Sequence, residues 1–138
     1  KETDPIFSTE GQIMLQPRLA STPEQGAVVT KAVLNAAECL ALSGRQLGLV
    51  LGVSEPTVSR MRRGEFVLEP SSKPFELALH LVRLFRSLDA IVGGDQAVAR
   101  AWLANENTAL AARPLDLIQS IAGLMNVIAY LDARRALV

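Results

Sequence analysis

The sequence is poor in the residues that form disulfides and bind metals. It has one cysteine, Cys39, and one histidine, His80, among 138 residues. A disulfide within one chain is therefore impossible, and no metal site is predicted, because several cysteine or histidine ligands would be needed. Aromatic residues make up only 4 %, so the core must come from Leu, Val, Ile and Ala. A lone thiol is typical of the reducing cytoplasm, where we expect the protein to act.

An excess of charge is also missing. Fourteen Lys and Arg residues balance fourteen Asp and Glu residues, which excludes a uniformly basic nucleic-acid binder but allows a basic patch. No secretion signal is predicted, because charged residues interrupt the first ten positions. The uncharged run at 117–131 is shorter than the roughly 20 residues of a membrane span. With 49 % hydrophobic residues, the chain can bury a core.

Hydrophobic spacing predicts an all-α fold. Residues 1–26 contain three prolines and are expected to form an irregular arm. From Thr30, the expected N-cap, a helix follows, because apolar residues recur at intervals of three and four. These residues are Val29, Val33, Ala36, Ala37 and Leu40.

Glycine and proline divide the remaining sequence into further helices. The expected helices cover about 45–51, 55–63, 75–92, 96–104, 114–122 and 124–137, with a break at Gly93 and Gly94 and another at Gly123. Residues 66–68 form the only strand-like piece. We expect one domain at 27–92, which would bind DNA and dimerise, and a second at 93–138.

Residues 44–64 have the spacing of a helix-turn-helix unit. Gly48 would allow close crossing of the two helices, and Gly52 would allow the sharp turn between them. Five apolar residues lie at the positions that lock such helices together: Leu47, Leu51, Val53, Val58 and Met61.

With Val58 and Met61 facing inward, the second helix presents a polar and basic face. Four arginines against one glutamate give residues 44–64 a net charge of +3. Such side chains can bond base edges and phosphates. The predicted DNA-binding residues are Arg45, Gln46, Ser54, Glu55, Thr57, Ser59, Arg60, Arg62 and Arg63. The alternative is a helical corner whose basic face only meets water.

Two segments resemble one family. Residues 53–64 resemble the recognition helix of Xre-type (Cro/repressor-like) regulators. The C-terminal third resembles the toxin-binding domain of the Xre/MbcA/ParS antitoxins, whose pattern is matched by Trp102-Leu103, Asn105 or Asn107, Leu110, Pro114-Leu115, Gly123, Val127 and Leu131. Where the family often has a glycine pair before the proline, this chain has Ala111-Ala112-Arg113.

The resemblance implies an Xre/Cro-like helix-turn-helix domain followed by a small helical toxin-binding domain. It implies a homodimeric antitoxin without enzymatic activity. Its partner would be a RES-domain toxin, which resembles ADP-ribosyltransferases and consumes NAD. The antitoxin would cover the toxin's active site, and the complex would repress its own operon by binding operator DNA.

The last helix combines an apolar stripe with polar, aromatic and basic residues, which is typical of an interface. The predicted toxin-binding residues are Asn126, Tyr130, Asp132, Arg134, Arg135 and Val138. Alternatively, the positive charges of Arg134 and Arg135 could stabilise the negative carboxyl end of their own helix. Trp102 is expected to anchor the core, and Asn105 and Asn107 to bond the backbone of a turn.

The long helix at 75–92 has two apolar stripes, which suggests a partner surface. A two-fold protein would also suit paired DNA half-sites. We therefore expect a homodimer with Leu81, Leu84 or Leu88 near the contact.

Other functions stay open at this point. The chain could be a stand-alone repressor whose C-terminal helices only dimerise or bind an effector. It could also be a structural adaptor that no longer contacts DNA. Neither a catalytic residue nor a cofactor is predicted: His80 has leucines on both sides and no acidic partner nearby in sequence.

Overall fold

The computed structural model describes residues 22–137. Residues 1–21 of the predicted arm and the predicted toxin contact Val138 lie outside this range. The described part forms helices and no strand: α1 Thr22–Cys39, α2 Gly44–Leu51, α3 Glu55–Arg62, α4 Lys73–Ile91, α5 Gln96–Ala104, α6 Pro114–Leu117 and α7 Ile121–Arg135. The all-α fold is confirmed, and the strand-like piece at 66–68 forms no strand.

Helix α1 begins eight residues earlier than expected. Thr30 is therefore not an N-cap but lies inside α1, where its side chain is buried. Its hydroxyl accepts a hydrogen bond from the backbone N–H of Leu68 at 2.9 Å. Residues 22–26, predicted to be irregular, are helical as well. Proline at position 23 suits this start, because a helix's first N–H groups have no internal partner.

The carboxyl end of α1 is closed by a turn and by a side chain from α5. Ala41 has a left-handed φ of 59°, and the N–H of Leu42 reaches back to the carbonyl of Ala37 at 2.8 Å. Arg100 donates to the carbonyls of Cys39 and Glu38 at 2.9 and 3.1 Å. Because these carbonyls have no partner within the helix, Arg100 joins the C-terminal part of the chain to α1.

Helix α4 is the centre of the molecule. It packs against α1 and α2 and, through its later turns, against α7. Leu81, Leu84 and Leu88 are at most 1 % exposed in the single chain. Neighbours within the same chain already cover these side chains, so they cannot form the dimer contact themselves, and a dimer contact near them stays a prediction. These contacts explain the first apolar stripe of α4, whereas Leu79 of the second stripe remains 47 % exposed.

The last break between helices lies before Gly123 rather than at it. Ser120 caps α7 and accepts a hydrogen bond from the N–H of Gly123 at 3.1 Å. A Cβ on Gly123 would lie 2.0 Å from the carbonyl oxygen of Leu117. Glycine is therefore required here for the close approach of α6 to α7, not for ending a helix. Among the described residues, no helix is long and apolar enough to cross a membrane.

Candidate functional site

Helices α2 and α3 form a tight corner. Ser43 and Gln46 make a reciprocal capping box at the start of α2, with distances of 2.8 and 3.0 Å. Gly52 ends the helix with a φ of 76°. A Cβ on Gly48 would lie 2.6 Å from the carbonyl oxygen of Val53, so only glycine allows the chain to pass this closely. Gly48 therefore allows the close crossing, and Gly52 the sharp turn, that were predicted for a helix-turn-helix unit.

The register of α3 is the predicted one. Val58 is 0 % exposed and Met61 is 2 % exposed, and both belong to the core. The remaining residues of the helix are exposed or half-buried. The predicted basic face is therefore a real surface: Arg60, Arg62 and Arg63 all lie on the outside.

A chain of hydrogen bonds runs along the start of α3. Ser54 caps the helix through its hydroxyl, which accepts from the N–H of Thr57 at 3.2 Å. The hydroxyl oxygens of Ser54 and Thr57 are 2.8 Å apart. Arg60 donates from Nη2 to Oγ1 of Thr57 at 3.2 Å, and its guanidinium carbon lies 5.5 Å from the centre of the Phe66 ring. The predicted residues Ser54, Thr57 and Arg60 therefore act together.

The other predicted DNA-binding residues surround this network. Arg63 forms an ion pair with Glu65 at 3.2 Å, and Arg62 and Glu55 both lie beside Gly44 at the start of α2. Ser59 is half-buried and Arg45 is exposed. Gln46 is engaged through Oε1 in the capping box, and the capping box does not use its side-chain N–H groups.

The sequence did not single out Phe66 as part of this surface. Gly64 is the residue that indicates it, because glycine after the last turn of a helix favours a reversal of the chain. Gly64 has a φ of 77°, and the chain returns along α3 so that Phe66 meets Arg60.

Two of the predicted toxin-binding residues of α7 contact the neighbouring helix α4. Asp132 accepts hydrogen bonds from Arg83 and Ser87 of α4 at 2.5 and 3.1 Å. Arg135 donates to the Ser87 hydroxyl at 3.3 Å. Because Ser87 is only 1 % exposed, these contacts lie at the seam between α4 and α7. Asp132 and Arg135 therefore hold the two helices of this chain together.

Tyr130 and Arg134 form an outward cluster with Trp102 of α5. The rings of Trp102 and Tyr130 are stacked, with centroids 6.2 Å apart and an interplanar angle of 18°. The Arg134 guanidinium lies 5.7 Å from the Tyr130 ring centre and donates to its hydroxyl at 3.2 Å. Trp102 is half-buried and packs against the core, as expected of an anchor.

Small residues cover the outer face of α7. Exposed positions recur at intervals of three and four: Ala122, Asn126, Ala129 and Ala133. Side chains this short leave the helix backbone open to close approach. Ile121, at one end of α7, is 64 % exposed, and Leu137, just beyond the other end, is 83 % exposed. Of these residues, only Asn126 was predicted from the sequence, because alanine carries no polar or charged group that marks a contact.

The loop before α6 is ordered by its own polar groups. Asn107 accepts a hydrogen bond from the N–H of Leu110 at 3.0 Å, as expected, and Ala111 has a positive φ of 62°. Arg113 binds Asp116 through two hydrogen bonds of 3.0 and 2.9 Å. This bidentate bond, with the attraction of the opposite charges, lowers the pKa of Asp116 and raises that of Arg113. Residues 22–137 hold no cluster of side chains suited to a metal ion.

Two family models match the chain. The antitoxin Xre-like helix-turn-helix domain matches residues 20–83. The antitoxin Xre/MbcA/ParS C-terminal toxin-binding domain matches residues 87–136. Together the models cover all seven described helices, and the border between them falls within α4.

The fold is similar to that of a chain in the crystal structure of the M. tuberculosis MbcT–MbcA toxin–antitoxin complex. The TM-score is 0.62 and the sequence identity 23 %, and the alignment covers 80 % of this chain and 96 % of the other. A comparison with proteins of curated function finds no match. The two family models, in this order along the chain, show that it belongs to the Xre/MbcA/ParS antitoxins.

Proposed function

We propose that this antitoxin neutralises a RES-type, NAD-consuming toxin by covering its active site, and that it represses its own operon by binding operator DNA. The family is described by an Xre-like helix-turn-helix domain and a toxin-binding domain. The two exposed surfaces fit these two tasks. They are the basic face of α3 and the outer face of α7. We assign the chain no reaction of its own.

The observation that carries toxin binding is the exposure of the small residues on α7 next to the stacked pair of Trp102 and Tyr130. A helix without long side chains can enter a narrow cleft, and aromatic and arginine side chains dominate the binding energy of many interfaces. Asn126, Tyr130 and Arg134 are therefore the contacts that we propose from the predicted set. Asp132 and Arg135 join α7 to α4 through Arg83 and Ser87, and Arg135 is itself exposed.

The proposal of a RES-type toxin comes from the family resemblance. The similar fold comes from a complex that contains a toxin and an antitoxin. Arg134 is exposed at the last turn of α7. In the cleft of an enzyme that binds NAD, its guanidinium would occupy the space that the NAD phosphates need and so keep the dinucleotide out.

Operator binding is supported by the corner of α2 and α3 and by the charge of its surface. The exposed arginines of α3 follow a capped helix start, which is the end that enters the major groove in helix-turn-helix proteins. A homodimer would place two such helices on paired half-sites. Its contact must lie outside Leu81, Leu84 and Leu88, which are buried in each chain.

Toxin neutralisation can be tested with the product of the reading frame next to the gene. We expect the two proteins to purify together, and we expect the neighbouring protein alone to consume NAD. Adding the antitoxin in equal amounts should stop the loss of NAD, measured enzymatically over time. An adjacent protein that neither binds this chain nor consumes NAD would contradict the proposal.

Operator binding needs a separate measurement, because an antitoxin could neutralise its toxin without contacting DNA. We expect the chain to retard a duplex from the region upstream of its own reading frame, and to prefer it over a scrambled duplex of equal composition. Arg60→Ala and Arg62→Ala should weaken this binding. Loss of each phosphate contact should lower the slope of log affinity against log salt by about one.

A further inference from the structure

Arg60 differs from the other arginines of the basic face because its side chain is held in place. Its Nη2 donates to the Thr57 hydroxyl at 3.2 Å, and its guanidinium lies over the Phe66 ring at 5.5 Å from the centroid. The Thr57 hydroxyl is itself fixed by Ser54, which is 2.8 Å away. An arginine on a helix surface ordinarily samples many rotamers, and here two neighbours restrict them.

Phe66 reaches Arg60 because of the turn that ends α3. The N–H of Glu65 bonds the carbonyl of Arg60 at 2.8 Å, and the N–H of Gly64 bonds the carbonyl of Met61 at 3.1 Å. This pair of bonds, with Gly64 at a φ of 77°, is a Schellman turn. The turn sends the chain back along the helix. Phe66 is half-buried and packs against the core, so packing fixes the position of its ring.

Arg62 and Arg63 have different surroundings. Arg63 pairs with Glu65, and both side chains are 56 % exposed. Arg62 turns toward the start of α2, where its Nη1 would lie 3.5 Å from a Cβ on Gly44. Neither contact orients a guanidinium over an aromatic face. These two arginines are suited to neutralising phosphates, which requires charge more than a fixed direction.

We propose that Phe66 is a positioning residue: together with Thr57 it holds the Arg60 guanidinium ready for bidentate binding to a guanine in the major groove. The inference rests on the proposed operator binding. A guanidinium carries five N–H donors. The Phe66 ring lies against one side of the guanidinium and Thr57 engages one nitrogen, which leaves other N–H donors for guanine O6 and N7. Fixing the side chain beforehand reduces the entropy lost on binding.

The sharpest test combines protein variants with altered guanines. The probe is a duplex of about 30 base pairs, enough for two half-sites, from the region upstream of the reading frame. Fluorescence anisotropy gives its affinity and that of a scrambled duplex. In further probes, each guanine in turn is replaced by 7-deazaguanine, which lacks the N7 acceptor. Replacing one particular guanine, or its symmetry mate, should weaken binding of the wild-type chain. In Arg60→Ala the same replacement should have no effect on affinity.

Phe66→Leu keeps an apolar side chain but removes the aromatic face. We expect it to weaken binding to the upstream duplex about two- to fivefold, to leave binding to the scrambled duplex unchanged, and to shrink the penalty of 7-deazaguanine. Thr57→Val should act in the same direction, because it removes the hydroxyl that Arg60 binds. Phe66→Tyr keeps an aromatic ring and should therefore show the wild-type preference for the upstream duplex. Arg60→Ala should cost about 5- to 100-fold on the upstream duplex.

Controls separate a positioning role from loss of structure. Val67→Ser alters the exposed next residue and should change neither affinity nor preference. Circular dichroism melting identifies a variant that has lost its fold, in which case Thr57→Val decides the question. A folded Phe66→Leu chain with an unchanged preference and an unchanged 7-deazaguanine penalty would overturn the inference while leaving operator binding intact. A wild-type chain with equal affinity for both duplexes would overturn operator recognition and the role of Phe66 together.

Discussion

The hydroxyl of Thr30, in the middle of α1, accepts a hydrogen bond from the backbone N–H of Leu68, 38 residues later, at 2.9 Å. Thr30 is 5 % exposed and Leu68 is 1 % exposed, so no water is available to replace the bond. The bond fixes the segment that follows α3 against α1. It therefore links the surface around Phe66 to the core.

Removing the Thr30 hydroxyl should destabilise the fold. Thr30→Val keeps the shape of the side chain but leaves the buried N–H of Leu68 without an acceptor, which should lower the free energy of unfolding by about 1–3 kcal/mol. Thr30→Ser keeps the hydroxyl, so its free energy of unfolding should fall by less. Urea denaturation followed by circular dichroism measures both. A Thr30→Val chain as stable as the wild type, together with a less stable Thr30→Ser chain, would show that the methyl group, not the hydrogen bond, matters.

Gly123 should tolerate no side chain. In Gly123→Ala the new Cβ would meet the Leu117 carbonyl oxygen at 2.0 Å, and backbone on both sides must move to relieve the contact. We expect a loss of about 3 kcal/mol or a separation of α6 from α7. Thermal unfolding monitored by circular dichroism gives the first result, and hydrogen exchange of α6 amides gives the second. Ala122→Ser, at the exposed neighbouring position, is the control and should unfold like the wild type.

A large charged side chain on the outer face of α7 should block the toxin. Ala129→Arg places it in the middle of the small-residue face, where a close partner has no room for it. Because Ala129 is exposed, the fold and binding to DNA should be unaffected. Isothermal titration calorimetry with the toxin should show affinity reduced by about 100-fold or more, as expected for a central position of an interface.

The matched control for this variant is Ala90→Arg, which adds the same side chain to an exposed position of α4. It should bind the toxin with wild-type affinity. Equal binding of toxin by wild type and Ala129→Arg would show that the outer face of α7 is not the contact.

The helices were largely predictable from sequence because their ends carry local signals. Ser54 before Pro56 and Asp95 before α5 marked two starts that the structure confirms. The start of α1 was missed because Thr30 looks like a cap, whereas its hydroxyl serves a residue distant in sequence. Gly123 was misread for a related reason: its requirement is a neighbouring carbonyl across the fold. Periodicity within one helix shows neither kind of contact.

The surfaces were predictable in part. The inward positions of Val58 and Met61 determined which residues of α3 face outward, and burial confirms that register. The apolar stripe of α4 that contains Leu81, Leu84 and Leu88 is buried as the pattern predicts, but against helices of the same chain, because a pattern shows that a face is buried and not what covers it. Asp132 and Arg135 likewise have the composition of an interface, and their interface is with Arg83 and Ser87 of the same chain.

The ion pair of Arg113 and Asp116 predicts a measurable pH dependence at the start of α6. Its bidentate bond favours the charged carboxylate, so the pKa of Asp116 is lower in the folded chain than in the unfolded one. The stabilisation is present above the ordinary carboxyl pKa of about 3.9 and is lost as the pH falls through the lowered value. Carbon-detected NMR titration of the Asp116 carboxyl should show a depressed midpoint. Arg113→Gln should return that midpoint to the ordinary range. Arg113→Lys keeps the charge but loses the paired hydrogen bonds, so it should return the midpoint only partway. A midpoint that is unchanged in Arg113→Gln would show that the ion pair does not persist in solution.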